Sequence, residues 1–153
     1  MRILSRILIV LFLSGTVAGS DATITFCDLV RNPEKFNGKE VTIRATYHYG
    51  FEWQQLYCLA CLDKGRAWLE ISADIDEASE KALKHAPRDA GILNLTVSGT
   101  FVSGSTYGHL NGYRYKFVVK KISNLAVIDK GMKTPAEEKA AEKRWACGGT
   151  NPK

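Results

Sequence analysis

Apolar side chains recur at every second position in five segments of this chain, and no other feature restricts its possible folds as strongly. The clearest case is the segment 41–48, in which one face is apolar and the other is polar. Its apolar face consists of Val41, Ile43, Ala45 and Tyr47. Strict alternation is typical of a β-strand with one buried face. Further strands are predicted at 53–58, 67–71, 93–101 and 113–119.

Two predicted helices accompany these strands. Thr25 and Asp28 have the spacing of a capping box, in which each side chain accepts a hydrogen bond from the backbone of the other residue. Asp74 and Glu77 repeat that spacing before an apolar stripe, and Pro87 ends this second helix. The predicted order is therefore a short helix, three strands, a helix and two strands.

This order is that of the OB-fold, a small five-stranded Greek-key barrel. We therefore predict a mainly β protein: an OB-fold barrel with a short N-terminal helix, a helix between strands 3 and 4, and a C-terminal helical tail. The tail prediction rests on Thr134 and Pro135, because proline is favoured at the first position of a helix. Gly99 is expected at a bend in the fourth strand.

Three stretches of the sequence resemble a known group of proteins. One is the segment 30–44, which leads into the first strand. The others lie where the fourth strand passes to the fifth: Gly99-Thr100-Phe101, and Tyr107-Gly108-His109 followed by Tyr113. Over roughly residues 25–129, the chain is similar to exported bacterial OB-fold proteins of unassigned function. This resemblance implies the same barrel and implies no catalytic activity.

The first 20 residues are typical of a secretory signal peptide. Arg2 and Arg6 form a positive start, residues 7–13 are apolar, and small residues follow as far as Ser20. Because this apolar run is too short for a transmembrane helix, we expect cleavage near Ser20 and export to the periplasm or the exterior. No membrane span is expected in the mature chain. We expect the OB-fold domain at 21–129 and a helical or flexible tail at 130–153.

The basic excess of the chain lies outside the predicted domain. Residues 21–129 carry 13 basic and 13 acidic side chains, whereas residues 130–153 carry six basic and three acidic ones. A protein face that binds nucleic acid through its phosphates needs a clustered positive excess. Nucleic acid is therefore not the expected partner.

Four cysteines remain after the predicted cleavage: Cys27, Cys58, Cys61 and Cys147. An even number in an exported chain indicates disulfide bonds, and four cysteines allow three pairings. We slightly favour Cys27–Cys61 with Cys58–Cys147, and Cys58–Cys61 with Cys27–Cys147 is a close alternative. Cys58 and Cys61 also form a Cys-x-x-Cys motif, a spacing found in thiol–disulfide enzymes and metal sites. A thiol–disulfide or metal-dependent activity is thus an alternative function.

Aromatic residues concentrate in two connections, between strands 1 and 2 and between strands 4 and 5, which flank the usual ligand face of an OB-fold. Trp68, in the third predicted strand, is a further candidate. It is out of phase with Leu69 and Ile71, which are expected to face inward. The ligand-binding candidates are Tyr49, Phe51, Trp53, Trp68, Tyr107, His109 and Tyr113. Their rings offer flat apolar area for stacking, although small barrels also use aromatic side chains as core residues.

No segment matches a common hydrolase, phosphate-loop or zinc-protease motif. The sequence therefore predicts a non-enzymatic binding module that has no catalytic residue, no metal ligand set and no cofactor. The expected partner is an unknown envelope protein, peptide or glycan. A purely structural or assembly role is a further alternative.

Overall fold

A computed structural model describes residues 24–129 together with Ala136 and Cys147. The predicted signal peptide at 1–20 lies outside the described residues, and so does the predicted tail apart from those two positions. Within the described part, no helix is both long and apolar enough to cross a membrane.

Five strands close into a barrel. They are β1 (Glu40–Tyr49), β2 (Gln54–Tyr57), β3 (Ala67–Ile71), β4 (Gly91–Val102) and β5 (Tyr115–Asp129). The order around the barrel is β1-β2-β3-β5-β4, and β4 pairs with β1 to close it. β3 and β5 run parallel, whereas the other neighbouring pairs are antiparallel. The alternation of apolar residues thus correctly predicted a mainly β protein with five strands.

β4 and β5 extend beyond the segments in which apolar residues alternate. Bulges shift the register within both strands, and the alternation is broken there. The register shifts at three places, one of which lies between Ser98 and Gly99. A Cβ atom at Gly99 would overlap the carbonyl oxygen of Val118, so only glycine allows this close approach of two backbones. A bend was expected at Gly99, and the structure has an irregularity of the strand pairing beside this residue. The same irregularity explains why Val119 and Ile122, three residues apart, are both buried.

The N-terminal segment forms two short helices, α1 (Phe26–Arg31) and α2 (Pro33–Phe36). The predicted capping box is present: the Asp28 N–H donates to Thr25 Oγ1 at 3.1 Å, and the Thr25 N–H donates to Asp28 Oδ2 at 2.9 Å. The sequence did not predict α2, which begins at Pro33. Proline ends one helix and also fits the first turn of the next, where its missing N–H is not needed.

The third helix, α3 (Glu77–Lys84), follows β3 and precedes β4 in the chain. Its N-cap is Asp76, which accepts a hydrogen bond from the Ser79 N–H at 2.8 Å, so the predicted cap at Asp74 is wrong. Asp74 instead accepts a hydrogen bond from the Ser72 hydroxyl. The buried Ser79 Oγ also accepts the N–H of Ile122 at 2.7 Å, which fastens α3 to β5.

The core fills the barrel and extends beneath α1. Its largest fully buried side chains come from α1 and from every strand: Phe26, Leu29, Ile43, Leu56, Leu69, Leu93, Phe101 and Phe117. Ile71 was expected to face inward but is 38% exposed at the end of β3. The alternation that places Leu69 in the core does not extend to the end of the strand.

Candidate functional site

Two loops meet beside the barrel. The first loop, residues 50–53, joins β1 to β2, and the second loop, residues 103–114, joins β4 to β5. His109 Nε2 on the second loop lies 3.7 Å from Glu52 Oε2 on the first. The structure therefore brings together the two segments that the sequence analysis selected as ligand-binding candidates.

The first loop packs its tryptophan against β1 and leaves its phenylalanine in solvent. The Trp53 ring lies edge-on to His48, with ring centroids 4.3 Å apart. It also covers Gly50, where a Cβ atom would lie 2.8 Å from the indole. Phe51 is 96% exposed. Of the two predicted stacking side chains on this loop, only Phe51 is fully available.

The second loop is a narrow hairpin held by its two tyrosines. The Tyr107 N–H donates to the Tyr113 carbonyl at 2.8 Å, and the Tyr113 N–H donates to the Tyr107 carbonyl at 3.2 Å. Between them lies a 3₁₀ turn, His109–Asn111, in which Leu110 has φ 53° and ψ 25°. A leucine in this left-handed region carries strain of about 1–2 kcal/mol. Its side chain is nevertheless 86% exposed, so the strain secures no buried contact.

Trp68 on β3 lies beneath the second loop. A Cβ atom at Gly108 would overlap the Trp68 indole, and Gly108 has φ +70°, a conformation that favours glycine. The Tyr113 ring packs beside the indole at a centroid distance of 5.3 Å. Trp68 points outward as expected, but the loop occupies one face of its ring, and that face is not available for stacking on a ligand.

A groove of about 520 Å³ lies between the two loops and the start of β3. We call it the rim groove. Its principal side chains are Trp53, Gln55, Arg66, Leu110, Tyr113 and Arg114. The site thus combines aromatic rings, an exposed leucine and two guanidinium groups.

Gln55 organises the polar part of the rim groove. Its Oε1 atom accepts hydrogen bonds at 3.4 Å from both Arg66 Nη1 and the Tyr113 hydroxyl. Burial raises the pKa of Tyr113, an effect that Arg66 partly offsets, so the phenol remains a donor at neutral pH. Arg114 lies over the Tyr115 ring at 5.8 Å and remains exposed.

Tyr49 and Tyr107 have other roles. The Tyr49 ring stacks on Tyr47 at 4.8 Å, and its hydroxyl donates to the Pro87 carbonyl at 2.6 Å. Tyr49 lines a second groove of about 630 Å³ at the C-terminal end of α3, which also includes Ile71, Leu83 and Arg88. We call this the α3 groove. The Tyr107 hydroxyl donates to the Ser103 carbonyl within its own loop.

Of the seven ligand-binding candidates, Trp53, His109 and Tyr113 line the rim groove. Sequence analysis missed Gln55, Arg66 and Arg114, which lie in or next to strands rather than in the aromatic loops. The available signal was strand phase, since a polar residue on the outward face beside an aromatic loop can reach the same ligand. Leu110 lay within a selected loop and was overlooked because it is not aromatic.

All four cysteines are bonded. Cys27 on α1 is joined to Cys61, and Cys58 is joined to Cys147, which is the pairing that the sequence slightly favoured. Cys61 lies in a 3₁₀ segment, Leu59–Lys64, which follows β2. The first bond fastens α1 to this segment, and the second fastens the end of β2 to the C-terminal region.

Both cysteines of the Cys-x-x-Cys motif are in disulfides, but they are not bonded to each other. The sulfur atoms of Cys27, Cys58 and Cys61 lie within 4.8 Å of one another and are buried. A nucleophilic cysteine or a metal ligand must be a thiolate, whereas each of these sulfurs is shared in a disulfide. Cys58 does precede a helical segment, but it is bonded to Cys147 rather than to Cys61.

The rim groove presents guanidinium, amide, phenol and indole groups. No known family model matches this chain, and no curated protein matches it.

Proposed function

We propose that this chain is an exported, non-enzymatic OB-fold binding module whose ligand is a peptide, a protein or a glycan of the cell envelope. The proposal includes a relationship to the exported bacterial OB-fold proteins that its sequence resembles. The strand order β1-β2-β3-β5-β4 and the position of α3 between β3 and β4 support the assignment to the OB-fold.

The disulfides support the proposed location. Both bonds involve cysteines that are almost completely buried, and such bonds persist mainly in oxidising compartments. We place the protein in the periplasm or outside the cell on this basis.

The convergence of the two loops carries the proposed binding role. Glu52 and His109 link the loops beside a groove that also receives Arg66 from the start of β3. Ligand sites combine apolar walls with a few polar groups that fix orientation, and the rim groove has both. The contact between Glu52 and His109 joins two exposed loops, so we assign it a structural rather than a chemical role.

The proposal is tested by screening the purified protein against peptide and glycan arrays. We expect a bound ligand whose affinity falls about tenfold or more when Arg114→Ala and Leu110→Ser are combined, because both side chains line the rim groove. The melting temperature should be nearly unchanged, since both side chains are exposed.

Arg88→Ala is the matched control, because Arg88 is an exposed arginine that lines the α3 groove instead. It should leave binding unchanged. A ligand that is released by Arg88→Ala and retained by the rim variant would contradict the proposal, and so would the absence of any bound ligand.

A further inference from the structure

We infer that the rim groove binds an extended protein segment that carries carboxylates next to apolar side chains. This inference rests on the proposed function and names the class of its ligand. It follows from the charge of the groove, from two exposed apolar side chains on the loops that border it, and from the packing of the Trp53 and Trp68 indoles within the protein.

The charge of the groove is the first observation. Arg66 and Arg114 both line it and are both exposed. Within the described part of the chain, neither has a carboxylate within 4.0 Å. Arginine presents a planar fork of N–H donors that matches a carboxylate with two parallel hydrogen bonds.

Neighbouring charges do not cancel this pair. Glu52 lies against His109, and Asp63 pairs with Lys64 at 3.0 Å. On the adjoining strands, Glu70 pairs with Lys116 at 3.2 Å. Asp63 and Glu70 each have a lysine partner and Glu52 contacts an imidazole, so the ion pairs of the described residues leave both guanidinium groups without a carboxylate partner.

Two apolar side chains form the second observation. Phe51 and Leu110 are 96% and 86% exposed, on the loops that the contact between Glu52 and His109 joins. Leu110 lines the groove itself, where an apolar side chain of a ligand can remove it from water. Leu110 also has a backbone with φ 53°, and such conformations concentrate at binding sites.

The third observation distinguishes a peptide from a glycan. Sugars and bases are bound by stacking on open, flat ring faces. Here Gly50 lies against Trp53 and Gly108 lies against Trp68, so the two indoles are engaged within the protein. The aliphatic side chains that line the groove are Leu62 and Leu110, and a branched aliphatic side chain suits another side chain better than it suits a sugar ring.

Four capped nine-residue peptides test this inference by fluorescence anisotropy with the purified protein. Three carry two leucines flanked by four glutamates, four glutamines or four lysines, and the fourth has four glutamates with both leucines replaced by serine. We expect the peptide with glutamate and leucine to bind about tenfold or more tightly than each of the others. Raising the salt concentration should reduce this advantage.

Variants of the protein then separate the contribution of the guanidinium groups from that of the apolar side chains. Arg66→Gln with Arg114→Gln should lower the affinity for the glutamate–leucine peptide about tenfold, to the level of the glutamine peptide, and should leave the glutamine peptide unchanged. Phe51→Ser with Leu110→Ser should weaken both of these leucine peptides. Arg88→Gln should change neither, and circular dichroism verifies that each variant is folded.

The inference and the proposed function fail in different ways. Equal affinity for the three leucine peptides, or tighter binding of an acidic glycan or a single-stranded oligonucleotide, would overturn the inference. Retained sensitivity to Phe51→Ser with Leu110→Ser would then leave the proposed function standing. Loss of binding only in the Arg88→Gln variant would overturn both.

Discussion

The region around the two disulfides and the region around the two loops follow opposite physical rules. In the disulfide region, Phe26, Leu29 and Cys61 are fully buried, and a capping box and a covalent bond hold α1 in place. In the loop region, Phe51 and Leu110 are exposed and Leu110 has a strained backbone. Stabilising contacts and exposed apolar side chains therefore lie in separate regions of the molecule.

Removal of the Cys58–Cys147 bond should have the largest effect on stability. The bond spans 89 residues, and cross-links of that span stabilise a protein by about 4–5 kcal/mol through the entropy of the unfolded chain. Cys58→Ala with Cys147→Ala should lower the free energy of unfolding by roughly that amount in a denaturant titration. Cys27→Ala with Cys61→Ala, which removes a bond spanning 34 residues, should cost slightly less, about 4 kcal/mol. A loss below about 1 kcal/mol in both variants would contradict the stabilising role assigned to the disulfide region.

Gly108→Ala should have the next largest effect, in the loop region. The new methyl group would overlap the Trp68 indole, and the positive φ adds strain, so we expect a loss of about 2–3 kcal/mol and altered tryptophan fluorescence. Gly104→Ala is the matched control, because Gly104 also has a positive φ but lies in open space. Its free energy of unfolding should fall only by the cost of the backbone strain, about 1 kcal/mol. Equal losses in the two variants would show that the loop does not rest on Trp68.

Thr25→Ala tests one hydrogen bond of the disulfide region, the N-cap of α1. Loss of the N-cap side chain should lower the free energy of unfolding at pH 7 by about 1 kcal/mol. Hydrogen bonds from Thr25 hold the pKa of Asp28 below its usual value, so the stabilisation is present above the unfolded pKa of about 3.9. It is lost as the pH falls through the lower folded pKa. The variant should therefore show a smaller loss of stability on acidification than the unchanged protein, and an identical acid profile would contradict the assignment.

Phe51→Ser should have the smallest effect on stability. Because the side chain is almost fully exposed, the free energy of unfolding should change by less than about 0.5 kcal/mol in thermal and denaturant unfolding. The same variant should weaken binding of the leucine peptides. A stability loss comparable to that of Gly108→Ala would mean that Phe51 packs within the fold and is not part of a binding surface.

The barrel was predictable because its signals are local. The alternation at Val41, Ile43 and Ala45 marks a strand, and the spacing of Thr25 and Asp28 marks a helix start. Local signals failed where two choices were equivalent in sequence. Asp74 and Asp76 could each cap α3, and the hydrogen bond from Ser79 is made to Asp76.

The candidate site was only partly predictable because its contacts join distant residues. Sequence marks Trp68 as outward-facing, but it does not show that Gly108, 40 positions later, lies on the ring. The convergence of Arg66 and Arg114 likewise depends on the parallel pairing of β3 with β5. Such pairings arise from barrel closure and leave no mark in the neighbouring residues.

The most direct test is a nuclear magnetic resonance titration of the ¹⁵N-labelled protein with the peptide that carries glutamates and leucines. We predict shifts of the backbone amides of residues 51–53, 66 and 109–114, and no shifts around Tyr49 and Arg88 in the α3 groove. Shifts confined to the α3 groove, or none at millimolar peptide, would contradict the conclusion that the rim groove is the binding site.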